Sequence, residues 1–190
     1  MVSSQGQRLA ALIVGGLVAG FVLAVVDPSG NLLLSFLQNN AEVERGYLWQ
    51  LVTSAIVAPP IPGGLEDVAF NAVAVLAIDG FMTAVYTPRE YYSTFLVTAV
   101  VGNLASLLAG PSQISFGASG GIFGLFAGVV TFDYAQEKKL SYQLVVVFAF
   151  IFAISSFFIQ DVDWQAHAGG AVMGLLIGYW IGRKRPPESY

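Results

Sequence analysis

Long runs of apolar residues, separated by short polar connections, make up most of the chain. Because about 20 apolar residues span the hydrocarbon core of a bilayer, each run of this length predicts one membrane-spanning helix. The expected spans are 8–26, 66–86, 91–110, 117–135, 141–160 and 164–182. The pattern therefore predicts an all-α membrane protein in which residues 1–190 form a single domain of six transmembrane helices.

The first connection, residues 27–65, is much longer than the others and is not uniformly polar. It contains two apolar stretches, LLLSFL (32–37) and YLWQLVTSAIVA (47–58), and the second runs into the helix-breaking cluster APPIPGG (58–64). Tyr47 and Trp49 belong to residue types that favour the membrane–water interface. We expect a long, structured first outer loop with short helices at this interface.

The composition fits a membrane location and excludes several kinds of chemistry. Of the 190 residues, 56% are hydrophobic and 11% are charged, whereas soluble domains carry about 25% charged residues. The chain has no cysteine, and His167 is its only histidine. Thiolate nucleophiles, cysteine-bound metals and an HExxH zinc site are therefore excluded, and we expect neither a metal nor a cofactor. The net charge of −4 and the absence of a basic patch give no indication of nucleic acid.

The basic residues predict the orientation of the spans, because lysine and arginine concentrate in cytoplasmic loops. If both termini are cytoplasmic, Arg45 is the one basic residue of eight that lies on the outer side. The others are then all cytoplasmic: Arg8, Arg89, Lys138, Lys139, Arg183, Lys184 and Arg185. We therefore expect a multi-pass protein of the cell membrane, embedded in the lipid bilayer, with both termini in the cytoplasm.

Three polar residues lie within the predicted spans at one depth. Asn71, Ser119 and His167 each fall near the outer end of a span that runs inward, in spans two, four and six. At 1.5 Å rise per residue, each lies within roughly 10 Å of the outer boundary. Intramembrane polar residues are costly and mark functional sites. A site that opens to the outer side is the resulting prediction.

The three residue types suit acyl transfer. A serine hydroxyl is a weak nucleophile that needs an adjacent base, and histidine is the usual one. The oxyanion needs hydrogen-bond donors, which the Asn71 amide and the first-turn N–H groups of Ser119 and Gly120 can supply. No acidic residue is obviously placed to orient His167, so the prediction is a two-residue Ser–His site.

The glycines of the segment FGASGGIFGLFAG (116–128) have two interpretations. Gly121, Gly124 and Gly128 follow helical spacing and indicate close helix packing. Gly117 and Gly120 flank Ser119, where we expect the backbone to stay open to a substrate carbonyl. Taken singly, Ser119, His167 and Asn71 also fit simple packing or interhelical hydrogen bonds.

Two segments together resemble a known family. Gly117-Ala118-Ser119-Gly120 begins the fourth span, and Ala166-His167-Ala168-Gly169-Gly170 lies in the sixth. This arrangement resembles the GxSG and AHxGG signatures of rhomboid intramembrane serine proteases. The resemblance covers almost the whole chain, since the six-helix core and the long first outer loop also match. It implies a rhomboid-like bundle that cleaves transmembrane segments of other membrane proteins.

The resemblance also implies roles for individual residues. Ser119 matches the nucleophile, His167 the base and Asn71 an oxyanion-hole residue. Phe123, one turn after Ser119, resembles the aromatic residue that packs on the catalytic imidazole, although ordinary packing would explain it equally. The family commonly has histidine four residues before the asparagine, and this chain has Asp67 there. We expect the Asp67 carboxyl to point to the outer water.

Two other functional classes are alternatives. A catalytically inactive rhomboid-like protein would bind or escort other membrane proteins, but the presence of both Ser119 and His167 favours an enzyme. A small transporter or channel would show a polar stripe through several spans or broken helices, and the sequence has neither. The sequence thus favours a serine-type endopeptidase acting within the membrane.

Overall fold

A computed structural model describes residues 3–158 and 162–185 of the chain, and most of these residues are helical. Within them the helices are α1 (Ser4–Val26), α2 (Asn31–Leu34), α3 (Asn40–Glu44), α4 (Gln50–Thr53), α5 (Pro62–Val85), α6 (Pro88–Ser106), α7 (Ser119–Glu137), α8 (Tyr142–Ala153) and α9 (Trp164–Lys184). A 3-10 turn, Leu107–Ala109, continues α6, and a π-helical turn, Ile154–Phe158, continues α8. Two short strands, β1 (Gln38–Asn39) and β2 (Ile114–Ser115), complete the fold. Residues 159–160, the predicted end of the fifth span, and residues 186–190 lie outside the described part.

The long helices occupy the positions of the predicted spans. Three described helices are long and apolar enough to cross a membrane: Ser4–Val26, Pro62–Val85 and Pro88–Ala109. Tyr142–Phe157 is a shorter apolar helix. Helices α7 and α9 have 19 and 21 residues, but glycine and polar residues replace part of their large apolar side chains. The all-α class is confirmed, while the count of six spans stays a prediction.

Local sequence signals explain where the long helices begin. The Ser3 side chain caps α1 by accepting hydrogen bonds from the backbone N–H groups of Gln5 and Gly6. At α6, Thr87 and Glu90 form a reciprocal capping box, with a proline in the first turn. Asp163 caps α9 by accepting a hydrogen bond from the Ala166 N–H at 3.0 Å. The residue that caps α9 therefore lies four residues before His167.

Helix α7 is the centre of the bundle. Every residue from 120 to 130 is buried, so this helix is enclosed on all sides by α5, α6, α8 and α9. Its closest neighbour is α9, because glycines face each other along the shared interface. A methyl group added at Gly170, Gly174 or Gly178 would lie 2.1, 2.0 or 1.9 Å from the carbonyl oxygens of Gly120, Gly124 and Gly128. The two backbones are thus in direct contact.

The first loop is folded and joined to the turn that precedes α7. It contains α2, α3, α4 and β1, and β1 pairs antiparallel with β2. Buried amide side chains attach this loop to the end of α6. The Asn40 Nδ2 donates to the carbonyl of Ser106 at 2.7 Å, and the Asn103 Nδ2 donates to the carbonyl of Leu51 at 2.8 Å. The loop therefore stabilises the position of the segment that leads into Ser119.

Candidate active site

Ser119 and His167 are hydrogen-bonded. The Oγ of Ser119 lies 2.7 Å from the Nε2 of His167. Ser119 is the first residue of α7, and His167 lies in the first turn of α9. The side chains meet because the glycine contacts bring α7 and α9 to backbone distance immediately below them. His167 is 4% exposed, while Ser119 is half-buried.

A constrained turn presents Ser119. Gly117 has φ of +112°, in the left-handed region that disfavours any residue with a side chain. Its N–H donates to the carbonyl of Ser54 in the first loop at 2.8 Å. Two residues earlier, the hydroxyl of Ser115 donates to the carboxylate of Asp163, the cap of α9. The turn is therefore attached both to the first loop and to the helix that carries His167.

The second ring nitrogen of His167 has a partner that the sequence interpretation missed. The Oγ of Ser156 lies 2.8 Å from His167 Nδ1, and Ser156 is 5% exposed. The expectation of a two-residue Ser–His site stays a prediction, and the structure adds a second serine that contacts the histidine. The available signal was the polar pair Ser155–Ser156 within an otherwise apolar span. The direction of the Ser156 side chain depends on the π-helical turn, which the sequence pattern does not reveal.

Aromatic rings enclose the imidazole on its remaining side. The ring of Phe123 lies against that of His167, with centroids 4.7 Å apart and planes tilted by 46°. The ring of Phe152 in α8 makes an edge contact with the imidazole of His167, with ring centroids 6.3 Å apart. Phe123 is buried one turn below Ser119 on α7, so the helix that carries the serine also restricts the rotation of the histidine.

Asn71 and Ser119 line one cavity. This cavity, of about 180 Å³, lies between α5, α7 and α8, and its other walls include Phe70, Ile122, Phe123 and Ile151. Asn71 is 1% exposed, and among the described residues neither its Oδ1 nor its Nδ2 has a hydrogen-bond partner. A buried amide without partners costs free energy. Its N–H groups are thus free to bind a polar group entering the cavity beside Ser119.

Asp67 does not have the position expected from the sequence. It is half-buried rather than directed to the outer water. Its carboxyl group packs against Gly117, because a methyl group at Gly117 would come within 2.7 Å of both carboxylate oxygens. Asp67 is one helical turn before Asn71 on α5, which places both on the same face. The carboxyl group therefore adjoins the turn that presents Ser119.

Gly120 also differs from the expectation. We expected it to leave the backbone beside Ser119 open to a substrate carbonyl. Instead its Cα faces α9 and is buried, with an added methyl group only 3.2 Å from the carbonyl of Ala166. The reason is the rotation of α7, which turns the position after Ser119 towards its neighbouring helix. Gly120 belongs to the packing interface, and its N–H group lies in the first turn of α7.

A larger groove lies elsewhere in the molecule. It has a volume of about 650 Å³ and is bordered by α1, Ile56 and Val57, with Arg8 and Tyr92 as its polar edge. Neither Ser119 nor Asn71 lines it. Because it lacks reactive groups of the kind that Ser119 and His167 provide, the smaller cavity is the candidate active site.

Comparisons with known proteins identify the family of the chain. The protein is a helical bundle in which a serine and a histidine form a hydrogen bond near the starts of two touching helices. The Rhomboid domain model matches residues 45–184. The chain belongs to the rhomboid family. The three apolar helices found among its described residues and this membership make it a multi-pass membrane protein.

Individual relatives are similar at moderate identity. Rhomboid-like protease 3 from Toxoplasma gondii is 29% identical over 136 residues, which cover 68% of this chain and 50% of that protein. RHOMBOID-like protein 5 from Arabidopsis thaliana is 24% identical over 154 residues, covering 78% of this chain and 48% of that protein. RHOMBOID-like protein 4 from the same plant is 25% identical over 140 residues, covering 67% and 36%. The chain thus spans half or less of the length of these relatives.

Proposed function

We propose that the chain is an intramembrane serine endopeptidase that cleaves transmembrane segments of other membrane proteins. The observation that carries this proposal is the 2.7 Å distance between Ser119 Oγ and His167 Nε2. Such a pair is the minimal arrangement in which a base activates a serine hydroxyl. The rhomboid family model and the relative named as a rhomboid-like protease support the same reaction class.

The first half of the proposed reaction forms an acyl-enzyme. Ser119 Oγ attacks the carbonyl carbon of the scissile peptide bond, and its proton passes to His167 Nε2. The carbonyl oxygen takes the negative charge of the tetrahedral intermediate. When this intermediate collapses, the C–N bond breaks and His167 returns the proton to the departing amine. The acyl group is then esterified to Ser119.

Water completes the reaction. A water molecule attacks the ester carbonyl and gives a proton to His167 Nε2. Collapse of the second tetrahedral intermediate breaks the bond to Ser119 Oγ, which recovers its proton from His167. The products are a carboxylic acid and the free serine, so no metal or redox cofactor takes part in the proposed cycle.

We assign oxyanion stabilisation to three donors. The side-chain Nδ2 of Asn71 lines the same cavity as Ser119, buried and without a partner among the described residues. The N–H groups of Ser119 and Gly120 belong to the first turn of α7, where helix N–H groups lack intrahelical acceptors. The positive end of the helix dipole adds a favourable potential for an anion.

The proposed topology has six spans, cytoplasmic termini and an active site that opens to the outer side. Ser119 and His167 both lie at the ends of their helices that adjoin the first loop. Tyr47 and Trp49 in that loop are exposed, as interfacial aromatic residues are. At the other end of α7 the basic residues Lys138 and Lys139 follow, in keeping with a cytoplasmic side.

A cleavage assay tests the proposal. The protein is purified in detergent and incubated with a reporter protein containing one transmembrane segment, beside Ser119→Ala and His167→Ala. Ser93→Ala, at an exposed position of α6, serves as the control. We expect that the wild type and Ser93→Ala cleave the reporter and that the two active-site variants do not. Cleavage that survives in both active-site variants would exclude the proposed mechanism.

One observation favours the alternative of a non-catalytic relative that binds membrane proteins. The Asp67 carboxyl group adjoins Gly117, and a negative charge there opposes a developing oxyanion. In that case the wild type would cleave none of the reporter segments, yet these segments would stay bound to the protein during purification. The same assay therefore distinguishes the two functions.

A further inference from the structure

The segment after α8 carries two adjacent buried serines with different hydrogen bonds. Ser155 Oγ donates to carbonyls of its own helix, to Ile151 at 2.8 Å and to Phe152 at 3.3 Å. This is the usual bond of a serine within a helix. Ser156 Oγ contacts His167 Nδ1 at 2.8 Å, across to α9. The two side chains are 2% and 5% exposed, so they differ in partner rather than in environment.

We propose that Ser156 is a positioning residue that holds His167 in the tautomer with its proton on Nδ1, an inference that rests on the proposed protease function. A neutral imidazole carries one proton, and the nitrogen that carries it is set by the partner of the other nitrogen. A base for Ser119 must have a free lone pair on Nε2. The Oγ of Ser156 accepts a hydrogen bond from Nδ1–H and thereby leaves Nε2 as the acceptor.

The π-helical turn explains why a serine can do this from α8. Such a turn forms i→i+5 bonds and rotates the following side chains relative to an α-helix, and it often occurs at functional sites. Residues 154–158 form this turn. Ser155 keeps its bond to its own helix within it, while the next hydroxyl is directed at α9.

Ser156 also contributes after proton transfer. When His167 accepts the proton of Ser119, both ring nitrogens are protonated and both need acceptors. The Oγ of Ser156 remains an acceptor for Nδ1–H, while the Nε2 proton is available to the leaving amine. Because Ser156 is not among the residues that line the cavity beside Ser119, its effect should fall on the chemical step and not on substrate binding.

The test compares Ser156→Ala with Ser155→Ala in the full chain, with Ser156→Thr as the conservative variant that retains a hydroxyl. Cleavage of the reporter segment is measured as kcat and KM. Because His167 is the only histidine, nitrogen-15 NMR of histidine-labelled protein reports its tautomer without any assignment problem. We expect Ser156→Ala to lower kcat roughly tenfold, the effect of one hydrogen bond, at unchanged KM. We also expect it to move proton occupancy away from Nδ1.

Ser155→Ala should match the wild type in both measurements, and Ser156→Thr should recover most of the lost kcat. If Ser156→Ala leaves the tautomer and kcat at the level of Ser155→Ala, the proposal is overturned. If the wild type itself does not cleave the reporter, the protease assignment fails and with it the role of Ser156 in catalysis. The NMR comparison then shows separately whether Ser156 sets the tautomer of His167.

Discussion

Gly174 of α9 lies against the carbonyl group of Gly124 in α7, and a methyl group at this position would come within 2.0 Å of that oxygen. The contact is repeated one turn away in each direction, at Gly170 and Gly178. Because the oxygen belongs to the backbone, it cannot move aside as a flexible side chain would. The distance between the helices, and with it the bond from Ser119 to His167, depends on these glycines.

Gly174→Ala should therefore separate α7 from α9. Overpacking of a close interface costs about 1–3 kcal/mol, and we expect a lower melting temperature together with loss of cleavage. Gly80→Ala is the matched control, since Gly80 lies within α5 and a methyl group added there would have no neighbouring atom within 4 Å outside its own helix backbone. There the substitution should leave cleavage unchanged and raise stability slightly. Equal stability of the two variants would contradict the packing role.

Asn71→Ala should lower activity without lowering stability. The removed amide has no partner among the described residues, so its loss sacrifices no internal hydrogen bond. Loss of an oxyanion donor typically reduces kcat about 10²-fold or more. Cleavage kinetics and thermal unfolding of the same samples measure the two effects.

Asn103→Ala is the stability control for Asn71→Ala. Asn103 is another buried asparagine, but its Nδ2 donates to the Leu51 carbonyl at 2.8 Å and to Ser54 Oγ at 2.9 Å. Its removal leaves these acceptors unpaired and should lower the melting temperature. If Asn71→Ala retained the full kcat of the wild type, Asn71 would not be part of the oxyanion site.

Asp67→Asn should raise the cleavage rate at neutral pH. The carboxyl group packs on Gly117, and an ionised carboxylate there repels the oxyanion that forms beside Ser119. Like charges repel, so the neutral amide should raise the rate, and the gain should grow as the pH rises and more of the carboxyl group in the wild type is ionised. A loss of about 10²-fold would instead show that Asp67 acts as a protonated donor.

The topology predicts different chemical access to the two ends of α7. The chain has no cysteine, so single cysteines can be introduced without a background. Glu44→Cys lies in the first loop and Glu137→Cys at the end of α7, and both positions are exposed. In intact cells, a membrane-impermeant maleimide should label the first and not the second. The reverse pattern would place the active site on the cytoplasmic side.

Part of the site follows from sequence because its determinants are local or topological. Ser119 and His167 lie in recognisable segments, and the helix order alone places both at one end of the bundle. The starts of α6 and α9 follow from the capping residues Thr87 and Asp163. Such signals do not depend on how each helix is rotated about its axis.

Helix rotation accounts for the expectations that were wrong. Gly120 follows Ser119 directly, yet one residue turns a helix by about 100°, so its Cα packs against α9 while its N–H group stays in the first turn of α7. Asp67 is near the start of α5 and looked solvent-exposed, although its spacing of four from Asn71 was a signal that both share a face. Ser156 depends on a π-helical turn, which changes the rotation locally.

The central claim, that His167 activates Ser119 as a nucleophile, is tested most directly by labelling with a fluorophosphonate probe. Mass spectrometry of the digested protein then identifies the modified residue. We predict one phosphonyl group on Ser119 in the wild type and none in His167→Ala. Modification of a different serine, or equal labelling of Ser119 in His167→Ala, would contradict the claim.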